Sequence, residues 1–494
     1  MKTPRIAIVA TVVAVLSASV AVVGLQIGPG KEIHEKIFGE PSKPLMRGER
    51  ELVNGDGDED EGHDAEAKAR PGRPTNQVWP AGAQVGAVTN LAAPGWAGES
   101  VMDPAQDDWE PAIAADPQGT YAYVLTTRYS EPKACGNCPK TQIWLYRSTD
   151  NGQTWGTPSR ICTCPGTASQ NDPEIEVASD GSVYAVWMDD YNPGVVFARS
   201  TDHGVTWSAP LAVKAKSMKF TDKPILAISP SGQDVYINFN SSDNYFVASH
   251  NFGASFSAPV KTNGTDGRYY FAGGGTVLPN GTVVFTDSSF TQTSTGPVFV
   301  HVIRSTNGGA SWTQTQVATN PQQPTCVANG CPVDFYGTIP ALAADAGGKL
   351  VLTYTGPTVA QGPQRVYAIR STDSGGTWTA AADLGGPQGA NAGFTAIAAS
   401  GNGDFRMYFM DARNGADAWN TWYRRSTDGG ATWSAEVNIS DATSGPAYVH
   451  PNGFGEPYGD YGEIDITAAG KTLAIWGEGP DYTGPGGCWI NRTT

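Results

Sequence analysis

The sequence predicts an all-β protein, a seven-bladed β-propeller, and three observations carry that prediction. An eight-residue pattern, Ser-x-Asp-x-Gly-x-Thr-Trp in its fullest form, begins at Ser148, Ser200, Ser249, Ser305, Ser371 and Ser426. The intervals of 52, 49, 56, 66 and 55 residues suit one small antiparallel sheet per copy. Each copy follows a pair of short apolar runs, and a seventh pair, Tyr461 to Trp476, follows the last copy. Composition agrees, since 60 Gly and 35 Pro in 494 residues, with little helical periodicity, describe many short strands joined by turns.

Within the repeated pattern, the acidic side chain can accept hydrogen bonds from backbone N–H groups just downstream, so the turn closes on itself. Gly152, Gly204, Gly253, Gly309, Gly375 and Gly430 supply the positive φ the turn demands. Asn251 and Asn307 replace the acid in two copies and still offer a side-chain oxygen. The terminal aromatic, Trp in five copies and Phe256 in one, is placed to pack between neighbouring sheets. Six copies of this motif resemble the Asp-box, or BNR, repeat of the sialidase superfamily. The resemblance implies a propeller in which the motif is a fold staple on the face opposite the active site.

In chain order, Lys2 and Arg5 precede an apolar run from Ile6 to Ile27, which reads as a cleaved secretory signal or a signal anchor. Either form places the remainder outside the cytosol, secreted or anchored to the membrane by that segment. Residues 28–83 are predicted to be a disordered linker, because Glu49 to Glu66 holds nine acids against one arginine and cannot build a core. The propeller is expected over residues 84–494. Its inner strand pairs run Glu110 to Thr127, Asp172 to Met188, Lys223 to Asn240, Phe271 to Asp287, Ile339 to Thr355, Phe394 to Met410 and Tyr461 to Trp476. An open ring would expose two sheet edges, so a strand before blade one, assigned to Gln84 to Leu91, is predicted to complete the last blade.

Seven cysteines in an oxidising compartment point to disulfides. Cys135 and Cys138, Cys162 and Cys164, and Cys326 and Cys331 lie close in sequence, Cys488 is left over, and overall connectivity stays open. A core of this size needs no cofactor, and neither cofactor nor metal is expected. The formal charge of −16 without a basic face argues against nucleic acid as a partner. A monomer acting on an extracellular glycan or glycoprotein is the expectation.

In such blades the starts of first strands and the ends of second strands share one face. That face gathers Trp109, Glu110, Asp172, Glu174, Lys223, Arg268, Tyr270, Tyr458, Asp460 and Tyr461, joined by Arg128 and Arg413. Acids, arginines and aromatics together suit a sugar site, with rings stacking on Trp109, Tyr270 and Tyr458. Resemblance to sialidases implies a nucleophilic tyrosine in the last blade, and Tyr461 matches that place. The family's arginine triad and Arg-Ile-Pro motif are not reproduced: Trp109-Glu110-Pro111-Ala112-Ile113 has no arginine, and Thr338 stands before Ile339-Pro340. Glycosidase-like cleavage is therefore expected with Tyr461 as nucleophile or acid/base and Glu110, Asp172 and Asp460 as carboxylates. Arg128, Arg268 and Arg413 would bind an anionic group. Two alternatives stay open: a non-catalytic glycan- or protein-binding propeller, and a uronate lyase using His450 with Tyr461.

Overall fold

Seven four-stranded antiparallel sheets follow one another along the chain, each built from strands in the order inner, second, third, outer. The computed structural model describes residues 92–494 apart from 130–131, 168, 191–193, 216, 219, 292–295, 324–337, 416–417, 442–448, 451–452, 455–460 and 480–486. The expected leader and linker, Gln84 to Leu91, Cys326 and Cys331, Tyr458 and Asp460 therefore lie outside the described residues. The seven inner strands are Asp107–Ala115, Gln170–Val177, Asp222–Ile228, Arg268–Val277, Ala341–Ala344, Ala392–Ser400 and Glu463–Ile466. Second strands such as Val183–Asp189 and Leu350–Pro357 are buried along their whole length. They are covered by sheets on both sides, so the strands are largely apolar, as in Val183–Asp189.

The repeated octapeptide folds as its chemistry requires. Ser200 Oγ accepts from Gly204 N–H at 2.8 Å, and Asp202 accepts from both the backbone and the hydroxyl of Thr206 at 2.8 and 2.6 Å. Where asparagine replaces the acid, Asn251 Oδ1 still accepts from Ser255 N–H at 3.0 Å. Gly253 (φ 77°) shows why glycine is needed, because a Cβ there would sit 2.1 Å from the Phe197 ring of the preceding blade. The terminal aromatics wedge between sheets: Phe256 meets Phe197 edge-on at 5.1 Å, and Trp312 stacks on Phe246 at 4.1 Å.

The ring closes in the last blade, whose order is Ser100–Val101, Gly487–Arg492, Thr472–Glu478, Glu463–Ile466. Ser100 pairs with Ile490 and Val101 with Trp489, and Trp96 bridges Thr493. The N-terminal strand predicted for closure is thus present, but the position assigned to Gln84 to Leu91 is filled by Ser100–Val101. Two residues are too few to show a period-two pattern in the sequence, so the segment was not legible as a strand. A second seam fastens blade seven to blade one. Glu463 Oε2 accepts from Ile113 N–H at 2.6 Å and Asp465 Oδ2 from Ala115 N–H at 2.7 Å, so carboxyl oxygens satisfy N–H groups of the neighbouring inner strand.

Among the described residues two local disulfides form, Cys135–Cys138 and Cys162–Cys164, while Cys488 is buried as a thiol.

Candidate functional site

One position of the blade, repeated around the ring, builds the site. The inner strands of blades one, two and three each break register, between Trp109 and Ala112, Asn171 and Glu174, and Asp222 and Ile225. The first residue of each bulge is Glu110, Asp172 or Lys223, with φ of 53°, 51° and 42°. Each precedes a proline (Pro111, Pro173, Pro224), which further restricts the backbone of the residue before it. Strain of this kind costs about 1–3 kcal/mol per residue and persists where the surroundings fix it, commonly at functional sites. Tyr461 stands two residues before Glu463, the first paired residue of its inner strand, just as Asp172 stands two before Glu174. Four consecutive blades, seven, one, two and three, therefore contribute Tyr461, Glu110, Asp172 and Lys223 from comparable places.

These side chains meet. Tyr461 O–H donates to Asp172 Oδ1 at 2.9 Å, and Asp172 N–H donates to Glu110 Oε2 at 2.9 Å. Thr127 Oγ donates to the same Glu110 oxygen at 2.5 Å, and Tyr129 O–H lies 3.4 Å from Oε1. Lys223 Nζ stands over the Tyr461 ring, 2.9 Å from its centroid. Tyr461 and Lys223 are buried, whereas Glu110, Asp172 and Glu174 retain partial exposure.

Electrostatics divide the acids. Burial, aided by the Asp172 charge, pushes the Glu110 carboxyl up to about 8, so it holds its proton at neutral pH. Glu174 and Glu463 hydrogen-bond to one another, and burial raises both. Farther along the same inner strands, burial raises Glu176 to about 8 and Asp465 to about 6. A phenol donating to one carboxylate, next to a second carboxyl that keeps its proton, offers a nucleophile and an acid side by side.

These shifts give the fold a pH dependence. The carboxyls of Glu110, Glu176 and Asp465 titrate near 4 in an unfolded chain, so folding takes up protons. The stability they contribute is full below about pH 4 and is lost as pH rises through 6 to 8. The repeat-turn acids act oppositely. Hydrogen bonds from Thr206 hold Asp202 down at about 2, and those from Thr432 hold Asp428 there, so their contribution is present above about pH 4 and lost on acidification toward pH 2. The melting temperature should peak in mildly acidic solution and fall toward about pH 9, with Glu176→Gln flattening the alkaline limb. A melting temperature that rises from about pH 5 to 9 would contradict these assignments.

The remaining sequence candidates are placed elsewhere. The Arg128 guanidinium is buried against Asp108 at 2.7 Å, Asp103 at 3.2 Å and the Tyr146 hydroxyl at 2.5 Å. Arg268 pairs with Asp266 at 3.6 Å over the Phe299 ring, and Arg413 pairs with Asp411 and Glu436 over Trp422. Each arginine is engaged by carboxylates near it in sequence or on an adjacent strand. Trp109 Nε1 donates to Asp107 at 2.8 Å, and Tyr270 O–H donates to Asp266 at 2.9 Å. His450 lies in a short hairpin, Val449–His450 against Gly453–Phe454. Reasoning from the sequence put Lys223 on the functional face without a role and left Glu463 out. The legible sign was acids two apart on inner strands, Glu174 with Glu176 and Glu463 with Asp465, a spacing that puts both on one face.

Several solved structures are similar to this chain at low sequence identity. The Hadza microbial sialidase Hz136 is 13% identical with a TM-score of 0.42, covering 78% of this chain and 66% of its own. The NanB sialidase from Streptococcus pneumoniae is 13% identical with a TM-score of 0.42, over 78% and 68% of the two chains. A polysaccharide lyase PL25, an ulvan lyase, is 11% identical with a TM-score of 0.48, over 80% and 94%. This chain thus spans just under two thirds of the Hz136 chain. No protein-family model matches the sequence, and no curated protein matches it.

Proposed function

We propose that the chain is an extracellular glycan-acting hydrolase that works through a tyrosyl intermediate. The observation that carries this reading is the Tyr461 hydroxyl donating to Asp172 at 2.9 Å beside Glu110, whose carboxyl burial and the Asp172 charge push up. In the first step the Tyr461 oxygen forms a bond to the anomeric carbon while its proton passes to Asp172. The glycosidic C–O bond breaks, and its oxygen takes the proton from Glu110. In the second step Glu110, now a carboxylate, removes a proton from water as the water oxygen displaces Tyr461, and Asp172 returns the phenol proton. Two displacements at one carbon give net retention of anomeric configuration.

Arg128, Arg268 and Arg413 are each engaged by carboxylates of their own blades, which supports a neutral sugar over a sialate or uronate. The test is a panel of neutral oligosaccharides, sialosides and uronate polysaccharides, followed by reducing-sugar release, absorbance and NMR of the released anomer. Release of a neutral sugar with retained configuration is expected. Unsaturated uronate absorbance would mark a lyase instead, and glycan binding without turnover would mark a display module.

A further inference from the structure

Resting on the reading above, we infer that Lys223 is a positioning residue that stabilises negative charge on the Tyr461 oxygen through the face of its ring. Its Nζ lies 2.9 Å from the ring centroid, well inside the range at which an ammonium is attracted to an aromatic face. Its side chain is buried, so little water screens that attraction. The backbone at Lys223 is held at φ 42° before Pro224, with its N–H donating to Asp222 Oδ1 at 2.9 Å, so the fold commits strain to this placement.

The surroundings make a cation necessary. Glu110 of blade one, Asp172 and Glu174 of blade two, and Glu463 of blade seven all interact with the Lys223–Tyr461 pair. When Tyr461 gives its proton to Asp172, negative charge appears on the phenol oxygen in a setting already rich in carboxyl groups. Lys223 opposes that charge from the ring face. The proton that Tyr461 gives up is held by Asp172, so it stays within the site. The arrangement suits a nucleophile that must ionise only as the anomeric carbon approaches.

The experiment reads Tyr461 directly and without substrate. Tyrosinate absorbance is titrated in the full chain and in Tyr461→Phe, and their difference isolates this one phenol. The same difference is taken in Lys223→Met and Lys223→Gln backgrounds, with melting curves showing which variants fold. An opposite charge within ~4–6 Å lowers an acid's midpoint by ~1–3 pH units, so removing Lys223 should raise the Tyr461 midpoint by that much. Lys223→Arg, which keeps the charge, should restore part of the difference. An unchanged or lowered midpoint in a folded, charge-removed variant overturns the inference. Because no glycan enters the titration, that result is separate from failure of the hydrolase reading. If the panel also identifies a substrate, the kcat profile of Lys223→Gln should move to higher pH by a similar amount.

Discussion

Tyr461→Phe lowers turnover about 10²- to 10⁴-fold, the loss typical when a group that transfers a proton or bonds to substrate is removed. The melting temperature should change little. The substitution deletes one hydroxyl, the ring remains to fill the buried space beneath Lys223, and Asp172 keeps partial access to water. Asp172→Asn should cost as much, because an amide cannot take the phenol proton that the carboxylate accepts at 2.9 Å. Glu110→Gln should behave differently. It removes the acid, so substrates with good leaving groups that need no protonation should lose far less than natural glycosides. Steady-state kcat/KM on two substrates of unequal leaving-group acidity checks all three substitutions. Equal losses on both substrates in Glu110→Gln would remove Glu110 from the acid role.

Trp96→Ala destabilises the ring by about 3–5 kcal/mol, the range for truncating a large buried aromatic. Trp96 is buried in the cluster of Tyr408, Tyr423, Ile464 and Trp476 and meets Tyr423 edge-on at 4.9 Å. It also lies just before Ser100–Val101, the strand that pairs with Gly487–Arg492 and joins the two ends of the described chain in one sheet. Loss of its packing therefore loosens both the blade six to blade seven contact and the closing strand. A drop of several degrees in the melting transition is expected, with increased proteolysis near both ends of the domain. Val205→Ala, at a side chain 63% exposed on a repeat turn, should leave the transition in place. If Trp96→Ala melted with the wild type, closure would have to depend on other contacts.

The repeat was legible because its chemistry is local. Six copies of an octapeptide fix their own turns through hydrogen bonds no more than four residues apart, such as Thr206 to Asp202, so the pattern shows in the sequence as it shows in space. Blade count followed from the same spacing. Tyr461, Glu110 and Asp172 could be placed on one face because strand starts share it. Their mutual contact could not be read, since Tyr461 and Asp172 are 289 residues apart and meet only when the ring closes. Lys223 was visible as a strand-start residue, but nothing local says that a lysine will lie on a ring contributed by another blade.

The arginines show a case in which partners were legible locally. Asp266-Gly267-Arg268 and Asp411-Ala412-Arg413 place each charge two residues from its partner, so these local pairs were written in the sequence. Both pairs form in the structure. Arg128 differs, because its partner Asp108 comes from the adjacent strand through antiparallel register.

The central claim is that Tyr461 bonds to the sugar. Its most direct test is to incubate the protein with a panel of 2-fluoro glycosyl fluorides of neutral hexoses and locate any adduct by peptide mass spectrometry. The account predicts one glycosyl mass on the peptide containing Tyr461, lost in Tyr461→Phe and strongly slowed in Asp172→Asn. A protein that cleaves neutral glycosides yet carries its adduct on another residue, or turns them over fully as Tyr461→Phe, would contradict it.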